Sequence, residues 1–99
     1  MMKRFGLLYN LMAAYLNQDY YLICGSEAIE DAVTYYVLEV DAADLIDLLR
    51  EINHFESEFS TDLERAFEEE FSPDIDVGGV SNFLNLLRTT IKKHYPTID

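Results

Sequence analysis

The spacing of the apolar residues constrains the fold most, because it repeats every three or four positions through most of the chain. The clearest case follows Asp41. Apolar residues there share one side of a helical projection: Leu45, Leu48, Leu49, Ile52 and Phe55. Polar residues share the other side: Asp44, Asp47, Glu51 and His54. A period near 3.6 residues is typical of an amphipathic helix, so we predict a helix that begins at Asp41.

The same period predicts two earlier helices. The first runs from about Phe5 to Leu16. Its inner face comprises Leu8, Leu11, Met12 and Tyr15. The second begins after Ser26, a good N-cap residue. Its inner face comprises Ile29, Ala32, Val33, Tyr36, Val37 and Val40. The β-branched and aromatic run at 33–37 does not alternate with polar residues, so a helix is favoured over a strand.

Two further helices are predicted towards the C-terminus. Thr61 and Glu64 have capping-box spacing and start a helix with Leu63, Ala66, Phe67 and Phe71 inside. Pro73 and the Gly78-Gly79 pair indicate a loop over 72–80. Ser81 then caps a last helix that ends at Tyr95 and has Phe83, Leu84, Leu87 and Ile91 inside. The fold class predicted is all-α, a compact bundle of about five helices forming one domain over residues 1–99.

Charge is distributed very unevenly. Residues 19–76 hold 18 of the 19 acidic residues and only two basic ones, Arg50 and Arg65, a net charge of −16. The two ends together carry +4, which gives −12 for the 99 residues. Self-repulsion in such a block costs stability, so the block is a candidate binding surface. Acidic helix faces also give solubility alone, and the sequence leaves both readings open.

The sign of this charge excludes several partners. Nucleic acid binds proteins through Lys and Arg that displace counterions from phosphates, so no nucleic-acid ligand is expected. Anionic membrane surfaces are excluded on the same ground. With 49% apolar residues and 13 aromatics the chain is too apolar for a disordered acidic tail. A basic macromolecule is the expected partner.

The sequence also bears on location. Cys24 is the only cysteine, so nothing requires an oxidising compartment. Lys3 and Arg4 precede an apolar stretch that superficially resembles a signal peptide, but Asn10 interrupts it and no small-residue cleavage site follows. We therefore expect a cytoplasmic protein without a membrane span.

No pattern predicts catalysis, a cofactor or a metal site. Glu51 and His54 have the E-x-x-H spacing of di-iron bundles, but those sites need a second such pair, and an exposed Glu and His is the simpler interpretation. The segment 74–79 resembles the start of a calcium loop, yet Asn85 stands where a bidentate Glu is needed. A metal-dependent enzyme using Glu51 and His54 is kept as a rival hypothesis.

One short motif is similar to that of a known family. Tyr15, Gln18, Asp19 and Tyr20 form an aromatic residue, a two-residue spacer and then Gln-Asp-aromatic. Together with the order of acidic and leucine-rich helices from about Leu7 to Tyr95, this resembles the small helical immunity proteins of contact-dependent growth inhibition systems. Asn17 departs from the pattern, since the family often has His there.

The resemblance implies a non-catalytic cytoplasmic inhibitor. It would bind the C-terminal toxin domain that a neighbouring cell delivers, often a nuclease with a basic substrate cleft. The signature residues Tyr15, Gln18 and Asp19 are assigned to structure around the end of the first helix. Candidate toxin-binding residues are Asp44, Asp47, Glu68, Glu69, Asp74, Asp76 and Tyr20, with Tyr21 and Tyr35 as further possible anchors. The alternative is an acidic DNA mimic or adaptor that blocks another basic protein.

Overall fold

Helices are the only regular elements in residues 5–17, 22, 25, 28–73 and 75–97, which a computed structural model describes. α1 spans Gly6–Asn10 and continues as a π-helical turn over Leu11–Tyr15. The longer helices are α2 at Ile29–Glu39, α3 at Ala42–Glu58, α4 at Leu63–Phe71 and α5 at Val80–His94. The all-α prediction with about five helices is therefore confirmed.

The first helix differs from the continuous α-helix predicted for residues 5–16. After Asn10 the backbone widens into a π turn, in which the Leu16 N–H donates to the Leu11 carbonyl, five residues earlier, at 3.0 Å. The wider turn accommodates one extra residue. Leu11, Met12 and Leu16 are all buried around it, while Tyr15 is half-buried. The burial of these apolar side chains thus favours a π turn over a regular α-helical turn at this point.

α2 begins later than predicted. Ala28 is the N-cap residue, with an extended backbone, and no side chain caps this end. Ser26, the predicted cap, lies outside the described residues. Glu30 and Asp31 occupy the first turn, where carboxylates interact favourably with the helix dipole. The predicted inner face is confirmed, with four residues buried and Ile29 and Val40 packed partly buried at its ends.

α3 matches its prediction closely. Asp41 is the N-cap residue, and the five apolar positions predicted for the inner face are all buried. Asp44, Asp47 and His54 are exposed as predicted. Glu51 was predicted to face solvent with them, and this is wrong, because its side chain is half-buried against α1.

The six phenylalanines form one aromatic cluster at the centre of the fold. Phe55 lies in its middle, with ring centroids 5.3 Å from Phe5 and 5.4 Å from Phe71. The remaining members are Phe59, Phe67 and Phe83. Edge-to-face contacts, such as that between Phe5 and Phe55, contribute stability beyond the burial of apolar area. The cluster joins the start of α1 to α3, α4 and α5.

α5 is the last element, and its predicted inner face is buried, with Val80 and Thr90 in addition. It begins at Val80, one residue before the predicted cap Ser81. It ends at His94, and Lys92, Lys93 and His94 occupy the last turn as predicted. Among the described helices, none combines the length and apolar content needed to cross a bilayer.

Candidate protein-binding surface

A groove of about 350 Å³ lies between α4 and the loop that leads to α5. Three of the residues that line it are acidic: Glu64, Glu68 and Asp76. Most of the others are apolar: Phe67, Pro73, Ile75, Val77 and Val80, with Gly78 beside them. We call this the acidic groove. Its volume lies in the range of sites that hold a small ligand or an anchoring side chain.

Backbone geometry after α4 shapes the acidic groove. Ser72 ends α4 in the left-handed conformation, with φ of 41°, and Pro73 cannot continue a helix. Ile75 and Val77 are half-buried and pack against the core, which holds the loop close to α4. Gly78 has φ of 78°, a value that other residues adopt only with strain, and it turns the chain into α5.

Two of the groove carboxylates are held in place by backbone amides. The Val80 N–H donates to Glu64 Oε2 at 2.7 Å, and the Gly78 N–H donates to Asp76 Oδ1 at 2.8 Å. The first bond places a negative charge at the start of α5, where the helix dipole favours it. The other oxygens of these two carboxylates and both oxygens of Glu68 have no partner within the described part of the chain.

The bond from Val80 corrects the predicted capping box. The N-cap residue of α4 is Asp62, and no side chain caps this helix end. Glu64 instead turns towards α5, whose N-cap residue is Gly79 and has no side chain to offer. A glycine at this position leaves the first amides of α5 without a local acceptor, and Glu64 supplies one from another helix.

The predicted toxin-binding residues fall into separate places. Glu68 and Asp76 line the acidic groove together. Glu69 is exposed and accepts from Arg65 Nε at 3.0 Å, and it lines a different cleft between α1 and α4. Asp74 and Tyr20 lie outside the described residues, as do Tyr21, Gln18, Asp19 and Cys24.

The two predicted α3 residues, Asp44 and Asp47, do not line the acidic groove. Both are exposed in the first half of α3, and Asp47 forms an ion pair with Arg50 at 3.3 Å, which is itself exposed. An exposed pair of this kind adds little stability, so both carboxylates are accessible to a partner. The fold therefore presents carboxylates in at least two regions.

Glu51, the carboxylate of the metal-site hypothesis, has a structural contact. The Leu7 N–H donates to its Oε1 at 3.1 Å and to its Oε2 at 3.2 Å, and the Leu8 N–H donates to Oε1 at 3.1 Å. These are amides of the first turn of α1, which need acceptors. His54 lies edge-on to Phe5, with its Nε2 3.8 Å from Glu58 Oε1. Nothing in this arrangement joins Glu51 and His54 at one ion.

Arg88 on α5 is held within the protein by three side chains. Its Nη2 donates to Glu56 Oε1 at 2.8 Å and to Asn53 Oδ1 at 2.9 Å. Its Nη1 donates to Asn85 Oδ1 at 2.8 Å and more weakly to Glu56 Oε2 at 3.4 Å. This half-buried pairing joins α3 to α5 and occupies Glu56, so Glu56 is excluded from the candidate binding surface.

Tyrosines form a second aromatic group beside α2. Tyr36 is fully buried, its ring lies 4.9 Å from that of Tyr15, and Tyr15 also contacts Tyr35. The Tyr36 hydroxyl is buried without a hydrogen-bond partner among the described residues. Burial, together with the nearby Tyr15, Asp44 and Glu51, raises the pKa of Tyr36 to about 12. Tyr15 thus packs at the end of the first helical segment, as the motif implied.

Sequence reasoning missed the role of Glu64 and of the apolar floor at Pro73, Ile75 and Val77. The spacing of Glu64 from Thr61 predicts a local cap, whereas its carboxylate accepts from the Val80 N–H. For the floor, the sequence did contain a signal. Ile75 and Val77 are apolar residues within an acidic loop, which indicates that they pack against the core. The side of the loop on which Ile75 and Val77 lie could not be deduced without the position of α4.

Comparison with known proteins gives the family. The sequence profile described as CdiI immunity protein matches residues 4–91. The chain belongs to this family, and the predicted resemblance is confirmed. It is a toxin-neutralising immunity protein, which makes it an inhibitor. No curated protein and no solved structure shows a significant match to the chain.

Proposed function

We propose that this immunity protein neutralises a basic toxin domain, a nuclease, by covering its substrate cleft with carboxylates. The observation that carries the proposal is the exposure of the acidic block. Of the acidic residues within 19–76 that the structure describes, all are exposed except Glu51 and Glu56, which bind inside the protein. A surface with this charge resembles nucleic acid to a basic cleft.

The contact residues proposed are the outward carboxylates of α3 and α4 with the following loop. On α3 these are Asp44 and Asp47. On α4 and the loop they are Glu68, Glu69 and Asp76. Asp74 and Tyr20 remain predictions from the sequence. The encounter takes place in the cytoplasm, where a delivered nuclease meets its substrates.

The test uses the C-terminal toxin domain encoded by the gene next to that of the immunity protein. Its cleavage of DNA and of RNA is measured with increasing amounts of the immunity protein. We expect cleavage to stop at equimolar amounts, and a toxin domain from an unrelated system to remain active. A toxin that cleaves neither nucleic acid would overturn the nuclease assignment and leave the family function unaffected.

The salt dependence of the association rate constant tests the electrostatic part of this proposal. If charge steers association, the association rate constant should fall about tenfold or more between roughly 10 mM and 150 mM salt, because screening shortens the range of the field. The matched variant Asp44→Asn with Asp47→Asn should reduce this dependence. A flat salt dependence in the wild-type protein would move the interface away from the acidic block.

A further inference from the structure

We propose that the outward face of α2 contacts an apolar patch on the toxin domain. This inference rests on the proposed function and adds an apolar contact to it. The face consists of Asp31, Thr34, Tyr35, Leu38 and Glu39, and we call it the α2 face. Its main feature is Leu38, whose side chain is 61% exposed.

Leu38 lies on the side of α2 that faces away from the core. The buried residues of this helix are Ala32, Val33, Tyr36 and Val37. At 3.6 residues per turn, Leu38 lies close to opposite the middle of that buried side. Folding therefore leaves its apolar area in water, and a partner that covers this area gains free energy.

Tyr35 extends the apolar area beyond a single residue. It precedes Leu38 by three positions, so the two side chains are neighbours on the helix surface. Its ring is half-buried and lies 6.3 Å from that of Tyr15, so little side-chain freedom is lost when a partner binds. Its hydroxyl makes no hydrogen bond within the described part of the chain. Tyrosine in such a position is enriched in the centres of protein interfaces.

The charge around the α2 face selects the partner. Residues 28–49 include six acidic residues and no Lys, Arg or His. The six are all exposed: Glu30, Asp31, Glu39, Asp41, Asp44 and Asp47. A second copy of the chain would bring the same negative charges against the face, and an anionic membrane would be repelled as well. An apolar patch on a basic domain is complementary, and a basic domain is the partner proposed above.

The α2 face also adjoins carboxylates that are already proposed as contacts. Val40 and Asp41 join α2 to α3, and both have an extended backbone. Val40 packs partly buried against the core, and its N–H donates to the Tyr36 carbonyl at 3.2 Å, which fixes this corner. Burial above all raises the pKa of Tyr36, and Asp44 is close enough to add to the rise. The α2 face and the start of α3 can therefore contact one partner together.

The first experiment measures the dissociation constant of the complex with a catalytically inactive toxin domain. Leu38→Arg removes the apolar contact and repels a basic partner, so binding should weaken about a hundredfold or more. Leu38→Ala removes apolar area alone and should weaken binding about tenfold.

Ser57→Arg is the matched control, because it makes the same change in net charge at an exposed helical position. Ser57 lies near the other end of α3, about 24 Å along the helix from Asp41. This variant should bind within about threefold of the wild type. Thermal melting of every variant separates loss of binding from loss of fold.

Salt separates the apolar contact from the electrostatic one. The ratio of the dissociation constants of Leu38→Ala and the wild type should be the same within about twofold at roughly 150 mM and 500 mM salt, since neither protein carries a charge at position 38. The effect of Glu39→Gln should shrink over the same range, because it removes a charge. A Leu38→Ala ratio that shrinks in the same way would contradict an apolar contact.

Photo-crosslinking identifies the occupant of the α2 face. p-Benzoylphenylalanine is incorporated in place of Leu38, and the crosslinked segment of the toxin domain is located by mass spectrometry. We expect an apolar segment bordered by lysine or arginine, and the same amino acid in place of Ser57 should not crosslink to it. A crosslink between two copies of the immunity protein would instead identify self-association and overturn the proposal.

The outcomes distinguish this inference from the proposed function. If the wild-type protein inhibits the toxin and Leu38→Arg binds as tightly as Ser57→Arg, the α2 face is wrong and the proposed function stands. If the wild-type protein does not bind, both are wrong. If Leu38→Arg abolishes binding to a toxin that cleaves no nucleic acid, the α2 face stands and the nuclease assignment is wrong.

Discussion

The first backbone amides of α1 and of α5 donate to a carboxylate on another helix, but the two carboxylates differ in burial. Glu51 is half-buried and accepts from two amides of α1, those of Leu7 and Leu8. Glu64 is exposed, accepts from one amide of α5, and also lines the acidic groove. Glu51, which caps α1, thus has only a structural role. Glu64, which caps α5, also lines a candidate binding site.

Removing Glu51 should have the largest effect on stability. Glu51→Ala leaves the Leu7 and Leu8 amides without their acceptor, so we expect the free energy of unfolding to fall by about 3 kcal/mol. Urea denaturation measures it. Asp47→Ala, one turn earlier on the same helix and exposed, should change it by less than about 0.5 kcal/mol. Equal losses for the two variants would show that Glu51 does not hold α1.

Alkaline pH tests the same region through Tyr36. Its pKa of about 12 in the folded protein lies above the ordinary value of 10.0, so the folded state holds the proton more tightly. Its contribution is complete below pH 10 and is lost as pH rises towards 12. Between pH 10 and about 11.5 the unfolding free energy should fall by about 1.5 kcal/mol because of this group.

Tyr36→Phe should remove that part of the pH dependence, since no proton remains to titrate. Tyr35→Phe is the matched control and should keep it, because Tyr36 is still present. At neutral pH Tyr36→Phe should be neutral or slightly stabilising, as it deletes a buried hydroxyl without a partner. An unchanged alkaline slope in Tyr36→Phe would contradict the raised pKa.

Removing Glu64 should have a smaller effect on stability than removing Glu51, and a clear effect on binding. Glu64→Ala removes one part-buried helix-capping contact, worth about 1 kcal/mol. Toxin binding should weaken about tenfold under conditions where the variant is folded. Glu51→Ala, also measured while folded, should bind within about threefold of the wild type. If both variants lose binding equally, the proposed difference between the two carboxylates does not exist.

The helices could be predicted from the sequence because their period depends only on which residues are apolar. Every inner face named for α2 to α5 is buried or packed against the core. The helix ends were less predictable. Thr61 with Glu64 and Ser81 are good local capping signals, yet Glu64 bonds to Val80, sixteen positions away. Local sequence cannot reveal an acceptor that arrives through tertiary packing.

The candidate site could be predicted only in part. The negative charge of the surface was evident from residues 19–76, and two of the candidate toxin-binding residues, Glu68 and Asp76, line one groove. Asp44 and Asp47 were grouped with them because all are exposed carboxylates, although they lie elsewhere. Which carboxylates share a groove depends on how the 72–79 loop folds back onto α4, and that depends on the burial of Ile75 and Val77.

The contact between Glu51 and α1 also bears on the order in which the protein is made. The segment that becomes α1 leaves the ribosome before α3, and a helix of five residues with one π turn is too short to persist alone. Its first amides find their acceptor 44 positions later in the chain. The hydrogen bonding of α1 is therefore completed only after α3 has been synthesised.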